Sequence, residues 1–578
     1  MRSLLKYLKN YKKECIFGPF FKCTEAVLEL IVPLVMAKII DTGIPSGDTM
    51  YILKTGGEMI GISALGFGCA MICQYMASRA SQGFGTEVRN ALFQKINTFS
   101  DRELDRFGAG SLVTRITNDV NQLQVAVAMT IRLVSRAPFL IIGAVIMAML
   151  LDLKLSIVFL IAGPVVALAL YLVMSRCVPM YRKIQQKLDR LATVTREGLE
   201  GIRVVRAFSR QGEEREKFDR ITDDAARASE RVGRISALLN PLTFLVMNLA
   251  ILAIVWFGGF RVDSGALTQG EIIAFVNYLT QISLALIVVA NLVVIFTRAA
   301  ASASRVAEVL NTDSSVTEKR DGVTEIDRHA PAIVFENVDF SIGAENILDH
   351  ISFQIRAGEM FGVIGSTGSG KSTLVNLIER FSDVTGGRVL VFGHDVRDYS
   401  FEALRSQIGL VPQNAQVFTG SIRENLTMLR GDVPEEQLIN ALRTAQAYDF
   451  VQERRGGLDA QIEQAGRNLS GGQRQRLTIA RALVSKPRVL ILDDSDSALD
   501  FATQQRLRSA IRKDLEGITV IVISQRVQSV RWCEQILVLD DGAVAGVGTH
   551  EELLHSSNVY REICSSQLDE KEAEAYAQ

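Results

Sequence analysis

Six apolar stretches, each close to the length of a bilayer-crossing helix, fill much of the chain before about residue 300, and they exclude a wholly soluble protein. A helix that crosses hydrocarbon needs about 20 mostly apolar residues. The stretches run roughly Ile16–Ile40, Met59–Ala80, Val127–Leu151, Leu155–Val178, Leu242–Val262 and Ile272–Phe296. Their connections alternate. The first, third and fifth are short; the second and fourth are long, charged and helix-favouring. Basic residues crowd the N-terminus and both long connections (Arg89, Lys95, Arg102, Arg106, Arg182, Lys183, Arg203, Arg206, Arg210), whereas the short loop Asp41–Tyr51 has none. By the bias of Lys and Arg toward the cytoplasm, the termini and long connections are expected inside. Residues 1–13 carry Arg2, Lys6, Lys9, Lys12 and Lys13 with Leu4, Leu5 and Leu8 on one helical face. They read as a membrane-surface helix that stays cytoplasmic, with no cleavable signal.

Composition narrows the function classes. Hydrophobic residues make up 48% of the 578, and the 63 basic and 64 acidic side chains leave a formal net charge of -1, so nothing marks a nucleic-acid binder. The seven cysteines (Cys15, Cys23, Cys69, Cys73, Cys177, Cys533, Cys564) are scattered and read as small core hydrophobes. The five histidines all follow residue 320 and fit no metal motif. Four parts are expected: a membrane domain over 1–310, a polar linker over 311–330 (Asn311, Asp313, Ser314, Ser315, Glu318, Lys319, Arg320, Asp321, Gly322), an α/β domain over 331–568 beginning with strands Ala332–Val338 and Ile351–Ile355, and a charged tail over 569–578.

The α/β domain carries the chemistry. Gly365-Ser366-Thr367-Gly368-Ser369-Gly370-Lys371-Ser372 fits G-x-x-x-x-G-K-[ST], between the apolar strand Met360–Ile364 and a helical pattern over Thr373–Phe381. Glycines let the backbone wrap a phosphate so that N–H groups and a helix N-terminus face the anion. Lys371 suits the β- and γ-phosphates of ATP, and Ser372 offers a hydroxyl to Mg2+. The buried run Val489–Leu492 ends in Asp493, placed to hold Mg2+ through water. Between them Leu469-Ser470-Gly471-Gly472-Gln473 precedes the helix Arg474–Val484, a second anion-facing helix start.

Together these residues resemble the ABC transporter superfamily: a Walker A loop, here Gly365 to Thr373, a signature LSGGQ, a Walker B strand and a D-loop Ser497-Ala498-Leu499-Asp500, in family order and spacing. Gln413, in Gly409-Leu410-Val411-Pro412-Gln413, matches the Q-loop, which implies a metal and catalytic role. Phe418–Asn425 resembles the exporter-type segment after it. Six spans ahead of one such domain look like an exporter half-transporter. The fold implied is multi-domain: an all-α polytopic membrane domain of six transmembrane helices, then an α/β P-loop nucleotide-binding domain. Asp105–Asp119 (with Gly108, Gly110, Arg115, Asn118) and Glu197–Glu214 (with Gly201, Ala207, Phe208) resemble the family's coupling segments; a solvated amphipathic helix is the other reading.

The departures are informative. Asp494 stands where the family places a catalytic glutamate, one methylene short, and misplacing a reactive group by about 1 Å costs on the order of 100-fold in rate. Gln525, after the strand Thr519–Ser524, replaces a switch histidine and cannot become cationic. Ile342 takes the place of an adenine-stacking aromatic, with Phe340 two residues away, and Gln464 stands where exporters often have glutamate. The resemblance implies that two nucleotide domains close around two ATPs, each LSGGQ serving the other chain's site in trans. Asp494 and Gln525 therefore weaken the site on this chain's own Walker A, while the intact Leu469–Gln473 loop completes a site on a different partner chain. The expectation is a heterodimeric multidrug-type exporter subunit in the plasma membrane, using ATP and Mg2+ to move amphipathic small molecules, lipids or peptides. A homodimer with slow ATPase and a non-catalytic ATP-binding regulatory subunit remain open; the six spans exclude a soluble ABC protein of DNA repair or translation. Lys22, Glu25 and Glu29 share one face of the first span, and Asn277, Gln281 and Asn291 fall near one face of the last. Substrate pathway and structural ion pairing are both open for them. Arg132 and Arg136 begin the third span, where snorkelling, anionic substrates and lipid head groups all suit them.

Overall fold

The computed structural model describes residues 2–567 except 320–321, 325, 328, 344 and 429–432; the expected charged tail 569–578 and the linker residues Arg320 and Asp321 lie outside the described residues. Contacts divide the chain into two units. One comprises residues 1–97 with 108–312; the other takes in residues 98–107 with the chain from Asp313 onward.

The first unit is helical. Its main elements are α1 (Lys12–Lys38), α2 (Thr49–Ile96), α3 (Ala109–Leu151), α4 (Ile157–Glu200), α5 (Gln211–Ser236), α6 (Leu239–Asp263) and α7 (Gln269–Asn311). Two π-helical stretches, Arg115–Asp119 and Thr130–Val134, interrupt α3. Among the described residues, five helical segments are long and apolar enough to cross a membrane: α2, α3, α4, α5 together with α6, and α7. The expected first span falls in α1, which is 27 residues long but carries Lys22, Glu25 and Glu29 between its apolar residues. Several helices run far beyond the apolar stretches into the charged connections, α4 doing so with Pro179 inside it. Asp48 caps α2 by accepting from Met50 N and Tyr51 N, and Thr268 and Glu271 form a capping box at the start of α7.

Polar groups are paired where helices meet. The Tyr278 hydroxyl donates to the Leu30 carbonyl at 2.8 Å, inside a core that includes Ala144, Phe159, Ile254 and Phe275. Asp152 takes the Arg261 guanidinium. Buried Asp119 takes Arg305 Nε at 2.8 Å and the Ser302 hydroxyl at 2.9 Å. Asp41 accepts from Gly270 N at 2.7 Å and from the Thr268 hydroxyl at 2.6 Å, tying the first short loop to α7. A Cβ on Gly270 would meet the Ala37 carbonyl oxygen at 2.6 Å, which explains the glycine there.

The second unit is α/β. Its six-stranded sheet has the order β12-β11-β3-β10-β9-β6, with β3 (Met360–Gly365), β6 (Ile408–Val411), β9 (Val489–Asp493), β10 (Thr519–Ser524), β11 (Gln535–Asp540) and β12 (Ala543–Gly548). All its neighbours are parallel except β11 and β12. Strands β3 and β10 are buried at every position, as their unbroken apolar runs require. A four-stranded antiparallel sheet has the order β2-β1-β4-β5, with β1 (Ile333–Ile342), β2 (Glu345–Ile355), β4 (Gly386–Val391) and β5 (His394–Asp395). The pair β7 (Gly420–Ser421) and β8 (Gln461–Ile462) is small. Strands β1 and β2 form one hairpin longer than the sequence pattern suggests, since Phe340 and Leu348 extend its apolar side. Residues on from Asp313 hold to this unit: Glu318 accepts from Phe401 N at 2.9 Å and Lys319 pairs with Asp398. So does the short helix Asp101–Phe107, where Glu103 accepts from Ser100 N and Ser315 N.

One buried acid makes this unit pH-sensitive. Burial pushes the Glu379 carboxyl up to about 7, against the pull of Arg405. The folded chain then binds more protons than the unfolded chain between the ordinary glutamate pKa and about 7, so this contribution to stability is present at low pH and lost as pH rises through that window. Glu379→Gln, which mimics the protonated acid, should raise the unfolding free energy at pH 8 by up to about 3 kcal/mol and at pH 5 by less than about 1 kcal/mol, measured by thermal or denaturant unfolding at the two pH values.

Candidate functional site

Strand register assembles the nucleotide site. Ser524 lies opposite Ile364 and Ile523 opposite Asp493, so the C-terminal ends of β3, β10 and β9 reach one edge together. From that edge the chain turns into the glycine loop and helix α8 (Lys371–Ile378). Gly370 has φ +95°, and a Cβ on Gly365 would meet the Leu539 carbonyl oxygen at 2.3 Å. The αL turn at Gly370 makes the helix start at Lys371, two residues before its apolar pattern. A cavity of about 380 Å3 opens here, lined by Thr367, Gly368, Gly370, Lys371, Ser372, Thr373, Gln413, Asp493, Asp494 and Gln525 among others.

The cavity is electrostatically prepared. Lys371 Nζ donates to the Gly365 carbonyl at 2.9 Å and the Ser366 carbonyl at 2.6 Å. Burial pulls its pKa down while Asp493 and Asp494 oppose that. Burial, then the charge of Asp494, push Asp493 up to about 6, with Lys371 opposing. Two carboxylates face one lysine at this partly desolvated edge, and Ser372, Gln413 and Asp493 all offer oxygens to this cavity. That donor set fits a hard cation such as Mg2+, which would bind phosphate oxygens there. Asp494 adopts φ +44°, which aspartate tolerates better than most residues, and its Oδ1 accepts from the Ser524 hydroxyl at 3.3 Å. Gln525 Oε1 accepts from the Thr367 hydroxyl at 3.3 Å.

The other motif residues lie elsewhere in the unit. Ser470 caps helix α9 (Gly471–Val484) in a capping box with Gln473, and the loop Leu469–Gln473 does not line the cavity. Asp500 caps helix α10 (Phe501–Asp514): Thr503 N and the Thr503 hydroxyl donate to it, and these bonds hold its carboxyl below the usual range. Ile342 is 56% exposed at the end of β1, whereas Phe340 is buried in the core. Gln464 is exposed. Of the polar residues singled out in the membrane unit, Lys22 pairs with Glu25, while Glu29 pairs with Arg136 and shares a small cavity with Gln281. Asn277 donates to the Ile273 carbonyl and Asn291 is exposed; neither joins that cavity.

Sequence reasoning missed Gln567. Its amide donates to the Gln525 carbonyl at 2.7 Å and accepts from Val527 N at 2.9 Å, so it pins the Gln525 loop from both sides. No motif marks a glutamine so close to the chain end. Gln567→Ala should cost about 1 kcal/mol or less in stability, because the site is exposed, yet weaken ATP binding several-fold through a loosened Gln525 loop. Titration with a fluorescent ATP analogue, beside thermal unfolding, checks this.

Comparison with known proteins agrees with this geometry. Residues 15–286 match the ABC transporter transmembrane region and residues 348–497 match the ABC transporter model. An uncharacterized ABC transporter ATP-binding protein of Bacillus subtilis is 36% identical over 577 residues, covering all of both chains. An ATP-dependent lipid A-core flippase of Syntrophus aciditrophicus is 31% identical over 503 residues, covering 87% of this chain and 84% of that protein. The fold is similar to that of a bacterial Atm1-family ABC exporter with ATP bound, with a TM-score of 0.79 at 23% identity over 97% of this chain and 99% of that one. The chain therefore belongs to the ABC transporter family, with the family's transmembrane region and its ATP-binding domain in one polypeptide.

Proposed function

We propose that the protein is one half of a heterodimeric exporter of amphipathic molecules in the plasma membrane, with α1 as the first of six spans and the nucleotide domain in the cytoplasm. Its own Walker site holds ATP and turns it over slowly, while Leu469–Gln473 completes the hydrolysing site of a different partner half. ATP binding closes the nucleotide domains and opens the membrane cavity outward; hydrolysis at the partner's site resets it. The similarity to exporter-type relatives supports the direction of transport.

The observation that carries the reading is the state of the cavity's chemical edge. The short Asp494 carboxylate is engaged by the Ser524 hydroxyl, and Gln525, which cannot carry a positive charge, occupies the switch position. A water-activating base must reach the water beside the γ-phosphate, and here it is one methylene short, with one of its oxygens accepting from the Ser524 hydroxyl. Asp500, in the cap of α10, takes part through the closed dimer, as does the signature loop.

Two variants separate this arrangement from a homodimer with two equal sites. Asp494→Asn should leave the ATPase rate of the assembled complex nearly unchanged. Gly471→Asp should lower it on the order of 100-fold or more, by setting a carboxylate against the partner's phosphate. Position 471 isolates the effect in trans, because a Cβ there meets nothing within 4 Å and this chain's own packing is undisturbed. Comparable losses from both variants, or brisk Mg2+-dependent ATPase from the chain purified alone, would assign a homodimer instead.

A further inference from the structure

Behind the nucleotide cavity, one carboxylate ties together the two loops that carry its unusual residues. Asp494 follows β9 and Gln525 follows the neighbouring strand β10. Asp496, two residues past Asp494, uses a single oxygen, Oδ2, to accept from the Ser529 hydroxyl at 2.7 Å and from the Arg508 guanidinium at 3.1 Å. Ser529 lies in the short helix Val527–Val530, which begins two residues after Gln525. Arg508 lies in α10, and Gln504 of the same helix donates to the Asp496 carbonyl at 2.7 Å. Asp496 therefore joins the loop after β9, the turn after β10 and the body of α10.

Burial and charge make these bonds matter. Ser529 is 2% exposed, so water does not readily replace a lost partner there. A charged acceptor also forms bonds roughly twice as strong as a neutral one. The tie complements two others. At the strand ends, Asp494 N donates to the Ile523 carbonyl at 2.8 Å. On the far side, Gln567 holds the Gln525 carbonyl and Val527 N. Without Asp496, the turn after β10 keeps its anchor to Gln567 and loses the one beyond the strand ends to the Asp494 loop. Arg508 also lies over the Trp532 ring at 5.9 Å, and the indole N–H is buried with no hydrogen bond among the described residues. A shift of Asp496 thus changes the surroundings of this indole through Arg508.

We propose that Asp496 is a positioning residue for the nucleotide site. It does not line the cavity, and it acts by fastening the Asp494 loop to the Gln525 loop. The two side chains at the cavity's edge then move as one when ATP binds, and Arg508 passes that movement to Trp532. The inference concerns this chain's own site and holds whether its partner half is the same chain or a different one.

Trp256 and Trp532 are the two tryptophans of the chain, and Trp256 is an exposed residue of the apolar helix α6. The full chain with Trp256→Phe, in nanodiscs, therefore reports on Trp532 alone. ATP with Mg2+ should change its emission. Asp496→Ala should abolish that change and weaken ATP binding, measured by calorimetric titration, about fivefold. Asp496→Asn keeps an oxygen for Ser529 and should restore most of both. Ser529→Ala cuts the bond between the loops while sparing the Arg508 pair, so it carries the test even where Asp496→Ala does not fold; it should weaken ATP binding about threefold. Combined with Asp496→Ala, it should add nothing further, as expected of two partners in one interaction. A purely structural Asp496 would lower the melting temperature and leave the emission change and the affinity of the folded chain intact, which overturns the proposal. So do additive losses, ATP affinity unchanged by Ser529→Ala, or ATP binding with no change in Trp532 emission. Failure of the parent chain to bind ATP overturns the nucleotide site itself.

Discussion

The parallel pairing of β3, β10 and β9 fixes the nucleotide chemistry. Because Ser524 sits opposite Ile364 and Ile523 opposite Asp493, the glycine loop, Asp493 and the Gln525 loop must emerge side by side. These strands are buried on both faces, and a one-residue slip would turn every side chain over, so the register is strongly specified. The same pairing places both departures from the family pattern, Asp494 and Gln525, in one cavity with Lys371. The signature loop, by contrast, is built as a helix cap outside that cavity.

The membrane unit obeys the opposite economy. Inside apolar surroundings a charge is tolerated when paired, and removing one partner of a buried pair costs about 3–5 kcal/mol. Toward the helix ends, where one partner keeps contact with solvent, Asp119 with Arg305, Asp152 with Arg261, and Asp41 with Gly270 and Thr268 fasten distant parts of the chain to one another. Against that background, the unsatisfied atoms of Arg132, Ser135, Arg136 and Gln281 stand apart.

Several features were open to a reader of the sequence because they depend on local pattern. Apolar runs gave five helical segments that can span a membrane, one fewer than the six expected, and glycine spacing gave the phosphate loop with its flanking strand and helix. Other features escaped because they depend on contacts between remote residues. The face shared by Lys22, Glu25 and Glu29 was visible, yet Glu29 leaves that group for Arg136, 107 residues away. Asp500 was legible as part of a motif but not as the cap of α10. Phe340 and Ile342 are two residues apart on one strand, and only packing shows the phenylalanine in the core and the isoleucine at the surface. Gln567 carries no signal at all, since its role exists only where the last helix meets the Gln525 loop.

The sequence by itself determined the two-part plan, the family's motifs and the presence of Asp494 and Gln525 where the family pattern differs, because each is a property of residue type and spacing along the chain. Only the tertiary structure decided that Asp494 is engaged by Ser524, that the Gln525 loop is pinned by Gln567, and that Arg136, Glu29 and Gln281 surround one cavity. Hydrogen bonds and unpaired charges are settled by which remote atoms the packed helices and strands bring within about 3 Å of one another.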